Sequence, residues 1–138
     1  MGFLLDTCLV SDLWKPRPNP GVVAWLEAAF EEELHLSALT FGEIRKGIDK
    51  LADGRRKERL EHDYALLRSR FSGRILPVTD VVAERWGTLG AAAARGGRDL
   101  HPIDGLLSAT ALCAGLVLVT RNVMDFAPTP VPLVNPWT

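Results

Sequence analysis

Short, wholly apolar runs alternate along this chain with longer segments in which apolar residues recur every three or four positions. Runs of the first kind are typical of buried parallel strands, and segments of the second kind are typical of amphipathic helices. Alternating strands and helices predict an α/β fold: an α/β/α sandwich around a central, mostly parallel sheet of four to five strands. The predicted strands cover residues 3–5, 34–38, 75–78 and 116–120, and residues 131–134 could add an edge strand.

Helix boundaries are marked by capping residues and by breakers. Asn19 can cap a helix that begins at Pro20, whose apolar stripe extends to Phe30 before three glutamates close it. Ser37 or Thr40 can cap the helix after the second strand. Further helices are predicted over residues 7–14, 58–70 and 80–94, and residues 106–114 are apolar on nearly all sides, which predicts a buried helix.

Length and composition suit one globular domain spanning residues 1–138, with 47% apolar and 24% charged residues. No apolar stretch is long enough to cross a membrane and no basic leader precedes the first strand, so we expect a cytoplasmic protein. Cys8 and Cys113 lie in apolar segments and are expected to be buried, reduced thiols.

Charge is distributed unevenly although the net charge is only -1. Residues 45–74 contain ten basic and five acidic side chains. This excess could attract the phosphates of a nucleic acid, with Arg45, Lys46 and Arg121 as candidate contacts. The alternative, which charge alone favours, is a solvated helical surface with internal ion pairs.

Four acidic residues fall where strands end or helices begin. Asp6 ends the first strand, Glu43 and Asp104 are expected in the first turns of their helices, and Asp125 follows the last strong strand. In a parallel sheet these positions share one edge, so the four carboxylates are expected to converge. Their mutual repulsion would favour a cation, and hard oxygen ligands suit Mg²⁺ or Mn²⁺.

Each of these acids also has an ordinary structural interpretation. Asp6 could simply cap the helix that begins at Thr7, and the other three could be first-turn or turn residues. The predicted convergence favours a site, in which Thr7, Thr120 and Asn122 would be supporting residues. The sequence contains no phosphate-binding glycine loop, dinucleotide fingerprint or nucleophile elbow.

These segments together resemble PIN-domain ribonucleases, and in particular VapC- and FitB-like toxins of bacterial toxin–antitoxin pairs. The resemblance rests on four stretches in order along the chain: residues 4–7, 39–48, 104–111 and 118–126. It implies the sandwich fold already described and an endoribonuclease, dependent on Mg²⁺ or Mn²⁺, that cuts structured RNA such as tRNA. It also implies a homodimer and a DNA-binding antitoxin.

By match to these motifs, Asp6, Glu43 and Asp104 would be the central catalytic acids and Asp125 a more variable fourth, with Asp6 and Asp104 holding the metal. One position departs from the family pattern, because Cys8 stands where an asparagine is usual. Cys8 keeps open the hypothesis of a binding module with little or no activity. A phosphohydrolase with Asp6 as nucleophile is a further hypothesis, against which Cys8 counts. Such an enzyme usually needs another aspartate at the position of Cys8.

Overall fold

Five parallel strands form a single sheet in the computed structural model, which describes residues 2–138. The spatial order of the strands is β3-β2-β1-β4-β5, so the first strand of the chain lies at the centre of the sheet. This arrangement confirms the predicted α/β class and the parallel sheet. The strands are β1 (Phe3–Leu5), β2 (Leu34–Ser37), β3 (Ile75–Leu76), β4 (Val117–Val119) and β5 (Leu133–Val134).

Six α-helices and two short 3₁₀ turns connect the strands. The helices are α1 (Thr7–Leu13), α2 (Pro20–Ala28), α3 (Ala38–Asp49), α4 (Arg55–Arg70), α5 (Asp80–Arg95) and α6 (Pro102–Ala114). The 3₁₀ turns cover Glu31–Glu33 and Val123–Phe126. Within residues 2–138, none of the helices has the length and apolar character needed to span a membrane.

The two faces of the sheet bury separate apolar cores because successive strand residues point to opposite sides. Leu5 and Val119 pack on one side with residues of α1 to α4. Leu4 and Leu118 pack on the other side with α6, and α5 packs in turn against α6. The sheet thus lies between two helical layers, one on each face.

Several local predictions differ from the structure. Helix α2 ends at Ala28, so Phe30, the last residue of the predicted apolar stripe, lies outside the helix and has 68% of its surface exposed. The three glutamates form a separate 3₁₀ turn. Helix α4 begins at Arg55, three residues before its predicted start. Cys113 is exposed rather than buried, because it lies on the outer side of α6 near that helix's end.

The C-terminal segment packs against the start of α2. The side-chain oxygen of Asn19 accepts hydrogen bonds from the backbone N–H groups of Gly21 and Thr138, at 2.9 and 3.2 Å. Its amide nitrogen donates to the carbonyl oxygen of Thr138 at 3.0 Å. A side chain on Gly21 would overlap the carbonyl oxygen of Pro136. This glycine therefore allows the two backbones to approach.

Replacement of Gly21 by alanine should lower the free energy of unfolding by about 1–3 kcal/mol, since the added methyl group would displace backbone atoms. Gly90→Ala is the matched control: apart from the adjacent residues and the backbone of its own helix turns, no atom lies within 4 Å of the position that its methyl group would take in the middle of α5. That variant should be about 0.5–1 kcal/mol more stable than the parent. Urea denaturation of all three proteins measures both effects, and equal gains for the two variants would contradict the close approach.

Candidate active site

Asp6 lies at the junction of β1 and α1 and is almost completely buried. One carboxylate oxygen accepts a hydrogen bond from the backbone N–H of Thr7 at 2.8 Å, so this residue does cap α1. The other oxygen accepts from the hydroxyl of Thr120, just after β4, also at 2.8 Å. These bonds fix the orientation of the carboxylate, while Asp6 still lines an open cleft.

Glu43 reaches the same cleft from α3. The structure corrects its predicted position: Ser37 rather than Thr40 caps α3, which places Glu43 in the second turn of the helix and not the first. The hydroxyl of Thr7 donates to Glu43 Oε1 at 2.7 Å and lies 3.0 Å from the hydroxyl of buried Thr40. Thr7 directly follows Asp6 in the chain, so its hydroxyl links Glu43 to the segment that contains Asp6.

Asp104 is the third acid of the cleft and lies in the first turn of α6, as predicted. Burial raises the pKa of its carboxyl group to about 6, and the negative charges of Asp125, Asp6 and Glu43 act in the same direction. His101 partly offsets them. Each of the other three predicted acids therefore disfavours a negative charge on Asp104. The site has an excess of negative charge.

Asp125 stands at the edge of this group. It is exposed on the 3₁₀ turn Val123–Phe126 and does not line the cleft, although its charge acts on Asp104. Asn122 does line the cleft, and its backbone N–H donates to Thr120 Oγ1 at 3.0 Å. The turn after β4 therefore orients the hydroxyl that holds Asp6.

The cleft has a volume of about 470 Å³ and includes residues that were not singled out from the sequence. Ser11 and Lys15 follow Thr7 at intervals of four, so the three lie along one side of α1 and its continuation. That spacing is a signal that sequence analysis could have used. Trp137 lies far away along the chain and reaches the cleft only through the fold.

Cys8 occupies the position that departs from the family pattern. Its thiol donates to Asp6 Oδ2 at 3.4 Å and lies 3.7 Å from Thr120 Oγ1. Burial, followed by the charge of Asp6, raises the pKa of this thiol to about 11. The thiol is therefore protonated at neutral pH and acts as a weak hydrogen-bond donor to the carboxylate.

The chemistry of the donors fits a hard divalent cation, although the side chains are not arranged as a complete ligand cage. Within residues 2–138, no three His, Cys, Asp or Glu side chains have the geometry to hold one metal ion. Magnesium in proteins is usually bound by one or two carboxylates and completes its shell with water. Asp6 and Asp104 meet that lower requirement, since both present carboxylates to the cleft.

Basic residues near the cleft differ in their freedom to meet a phosphate. Arg45 forms ion pairs with Asp49 and Glu61 and lies over the ring of Tyr64, so its charge is used between α3 and α4. Lys46 is exposed beside a neighbouring groove that Glu43 also lines. Arg121 lines the cleft itself.

The basic segment 45–74 contains residues of two kinds. Arg70 and Arg74 pair with Glu31, and Lys57 pairs with Asp53. Arg56 and Arg59 line a groove that also contains Thr7 and Glu43. Both interpretations of the charge pattern therefore describe part of this segment: some residues form internal ion pairs, and others face the groove beside the cleft.

Removing the charge of Asp104 should stabilise the metal-free protein at neutral pH. Its pKa is about 6 in the folded state and near 3.8 in the absence of these surroundings, so the folded protein binds its proton more tightly than the unfolded chain. The protonated carboxyl therefore leaves stability highest below about pH 4, and that stability is lost as pH rises through 6. Asp104→Asn should therefore raise the free energy of unfolding at pH 7.5 in EDTA by about 1 kcal/mol, after allowance for solvent screening.

Denaturation of wild type, Asp104→Asn and the control Asp99→Asn at pH 4.5 and pH 7.5 would test this expectation. Asp99 is an exposed loop residue outside the cleft. The gain from Asp104→Asn should shrink at the lower pH, where the wild-type carboxyl is largely protonated. A gain that is independent of pH, or that Asp99→Asn shares, would contradict electrostatic repulsion as the cause.

Comparison with known proteins shows the family to which this chain belongs. Residues 3–127 match the PIN domain family. Toxin FitB of Neisseria gonorrhoeae is 38% identical over 97% of both chains, and the VapC ribonuclease Y4jK of Sinorhizobium fredii is 33% identical over 97% of this chain and 96% of the relative. The structure superposes on that of a FitAB complex bound to a DNA fragment with a TM-score of 0.93 and 34% identity, covering 99% of this chain and 96% of the other.

The likeness extends over the whole described fold. A second solved structure, FitAcB from Neisseria gonorrhoeae, superposes with a TM-score of 0.90 at 35% identity, over 98% of both chains. The family resemblance inferred from the four sequence motifs is confirmed. The chain belongs to the PIN-domain family and, within it, to the FitB- and VapC-like toxins of toxin–antitoxin systems.

Proposed function

We propose that this chain is a Mg²⁺-dependent (or Mn²⁺-dependent) endoribonuclease toxin that cleaves cellular RNA, such as tRNA or another structured RNA. One observation carries the proposal: Asp6, Glu43 and Asp104, from three separate elements, line one cleft, and burial together with repulsion between carboxylates raises the pKa of Asp104 to about 6. A protein gains nothing in stability from such a cluster, and binding of a cation would relieve the repulsion.

Asp6 and Asp104 are the proposed metal-holding residues. When bound, the ion would supply positive charge that lowers the pKa of a water molecule and stabilises the phosphodiester as it gains negative charge. Asp6 is held in place by Thr120 and by the start of α1, so it needs little rearrangement. Preorganised groups of this kind contribute most to catalysis.

Glu43 is the proposed general base. Its carboxylate accepts a hydrogen bond from Thr7 through one oxygen, Oε1, which leaves the other oxygen free to accept a proton from an attacking water. Lys15 and Arg121 line the same cleft and would contact the phosphate backbone. Asn122 would support the site through the hydroxyl of Thr120, and Asp125 would add negative charge at its edge.

We also propose a cytoplasmic homodimer that a cognate DNA-binding antitoxin neutralises. The support is the similarity to FitB, together with the solved FitAB complex on DNA. Copurification of the chain with the product of an adjacent, antitoxin-like reading frame, followed by a gel-filtration mass, would test both the partner and the dimer.

Replacement of either proposed metal-holding residue should reduce RNA cleavage at least about 100-fold, because each removes a charged group from the reacting centre. Asp6→Asn retains an oxygen that can cap α1 and should fold normally. Cleavage of total cellular RNA in Mg²⁺, mapped by end sequencing, provides the readout, with Asp99→Asn as the control that keeps full activity. Wild-type rates in both site variants would contradict the assignment.

A binding module without catalysis is the second candidate, because Cys8 replaces the usual asparagine and no three-ligand cage is preformed among residues 2–138. Calorimetric titration with Mn²⁺ separates the two functions. A nuclease site should bind Mn²⁺, and Glu43→Gln should weaken that binding about 10-fold, because it removes a negative charge close to the ion. Glu84→Gln, on the outer helix α5, should leave it unchanged. Absence of Mn²⁺ binding in wild type would favour the inactive module.

A further inference from the structure

The active-site cleft continues into a second cavity of about 470 Å³ on the side of the C-terminal segment. The two cavities share Asp12, Lys15, Arg121 and Trp137 as common walls. The second cavity contains none of the three acids proposed for catalysis. A polymer bound across the first cavity would therefore meet different chemistry in the second.

Positive charge dominates this second cavity. Arg17 and Arg121 are exposed, and neither forms an ion pair with any residue of the part of the chain that the structure describes. The carboxylate of Asp12 is buried, lies 3.5 Å from the amine of Lys15 and accepts a hydrogen bond from the backbone N–H of Asn19 at 2.8 Å. Its charge is thus largely compensated, and two guanidinium groups remain available for an anion.

Trp137 forms the wall between the two cavities and is firmly held. It packs against the apolar core beneath α2, and its neighbour Thr138 is bound through Asn19. No hydrogen bond involves its indole nitrogen within residues 2–138, and no buried side-chain nitrogen there lacks a partner, so the indole N–H faces solvent. This half-buried ring lines both cavities, next to the two arginines.

We propose that this second cavity binds one unpaired nucleotide next to the phosphodiester that is cut, with its base stacked on Trp137 and its phosphate held by Arg17 and Arg121. An aromatic ring beside cationic side chains is the usual combination for single-stranded nucleic acid, since every base has a face that can stack. A base inside a duplex is already stacked on its neighbours, so the substrate must be single-stranded at this point. The inference rests on the proposed nuclease function.

Binding of a single-stranded oligodeoxynucleotide of mixed sequence, with Ca²⁺ replacing Mg²⁺, tests the site without relying on cleavage. Stacking should quench part of the emission of the four tryptophans, and Trp137→Phe should remove this quenching while leaving affinity nearly unchanged. Trp137→Leu fills similar space without an aromatic face and should weaken binding about 5- to 100-fold, measured by anisotropy of a labelled strand. The same strand in a duplex should bind less tightly.

The charged part of the site has its own matched pair. Arg17→Ala should weaken binding and reduce its dependence on salt, because one phosphate contact is lost. Arg95→Ala removes another exposed arginine, in the last turn of α5 and outside both cavities, and should change neither. Quenching that survives in Trp137→Phe, or equal binding by the Trp137→Leu and wild-type proteins, would overturn the proposal.

Cleavage kinetics separate failure of this inference from failure of the nuclease proposal. In Mg²⁺, Trp137→Leu should raise KM with little change in kcat, whereas Trp137→Phe should have a KM close to that of the wild type. If wild type cleaves RNA but both variants match it in KM, the nucleotide site is wrong and the nuclease stands. If wild type cleaves nothing yet binding shows the expected pattern, the nuclease is wrong and the nucleotide site stands.

Discussion

A charged carboxylate buried at the end of the central strand is the constraint on which this structure depends. Asp6 is only 7% exposed, and a charge so far from water is stable only when hydrogen bonds replace its hydration. Those bonds come from Thr7 and, more weakly, from the thiol of Cys8 on the same segment, and from Thr120, which is 114 residues further along the chain. The hydrogen bonds that hold this acid therefore also join the ends of β1 and β4.

The polarity of the sheet explains why other acids gather around this one. Strand ends and helix starts of a parallel sheet share an edge, so Glu43 and Asp104 reach a common cleft from different elements. The same arrangement opposes stability, since burial, together with the charges of the nearby carboxylates, raises the pKa of Asp104. The fold thus accepts an electrostatic cost at one edge, which two well-packed cores on the faces of the sheet can offset.

Local signals in the sequence predicted the strands and the cap at Asn19 because each depends on neighbouring residues, and the alternation of strands and helices predicted the fold class. The cap at Asp6 was only the alternative to a site residue, and the structure shows that Asp6 caps α1 and also lines the cleft. Glu43 was placed one turn early because Ser37 and Thr40 were equally suitable caps, and only the length of β2 decides between them. The shared edge of a parallel sheet made the convergence of Asp6, Glu43 and Asp104 predictable, but individual contacts between distant side chains were not. The pairing of Arg45 with Glu61 needs α4 to fold against α3, and Trp137 needs the C-terminal segment to return to α2.

The central place of β1 has a consequence for how the protein is made. This strand is synthesised before the other four, yet one of its edges stays unpaired until residues 117–119 have been made. Asp104 and Thr120 also arrive only with the last third of the chain. A chain synthesised only as far as residue 103 therefore contains Asp6 without the hydrogen bond from Thr120 and without Asp104, so the centre is assembled only after residue 120 has been made.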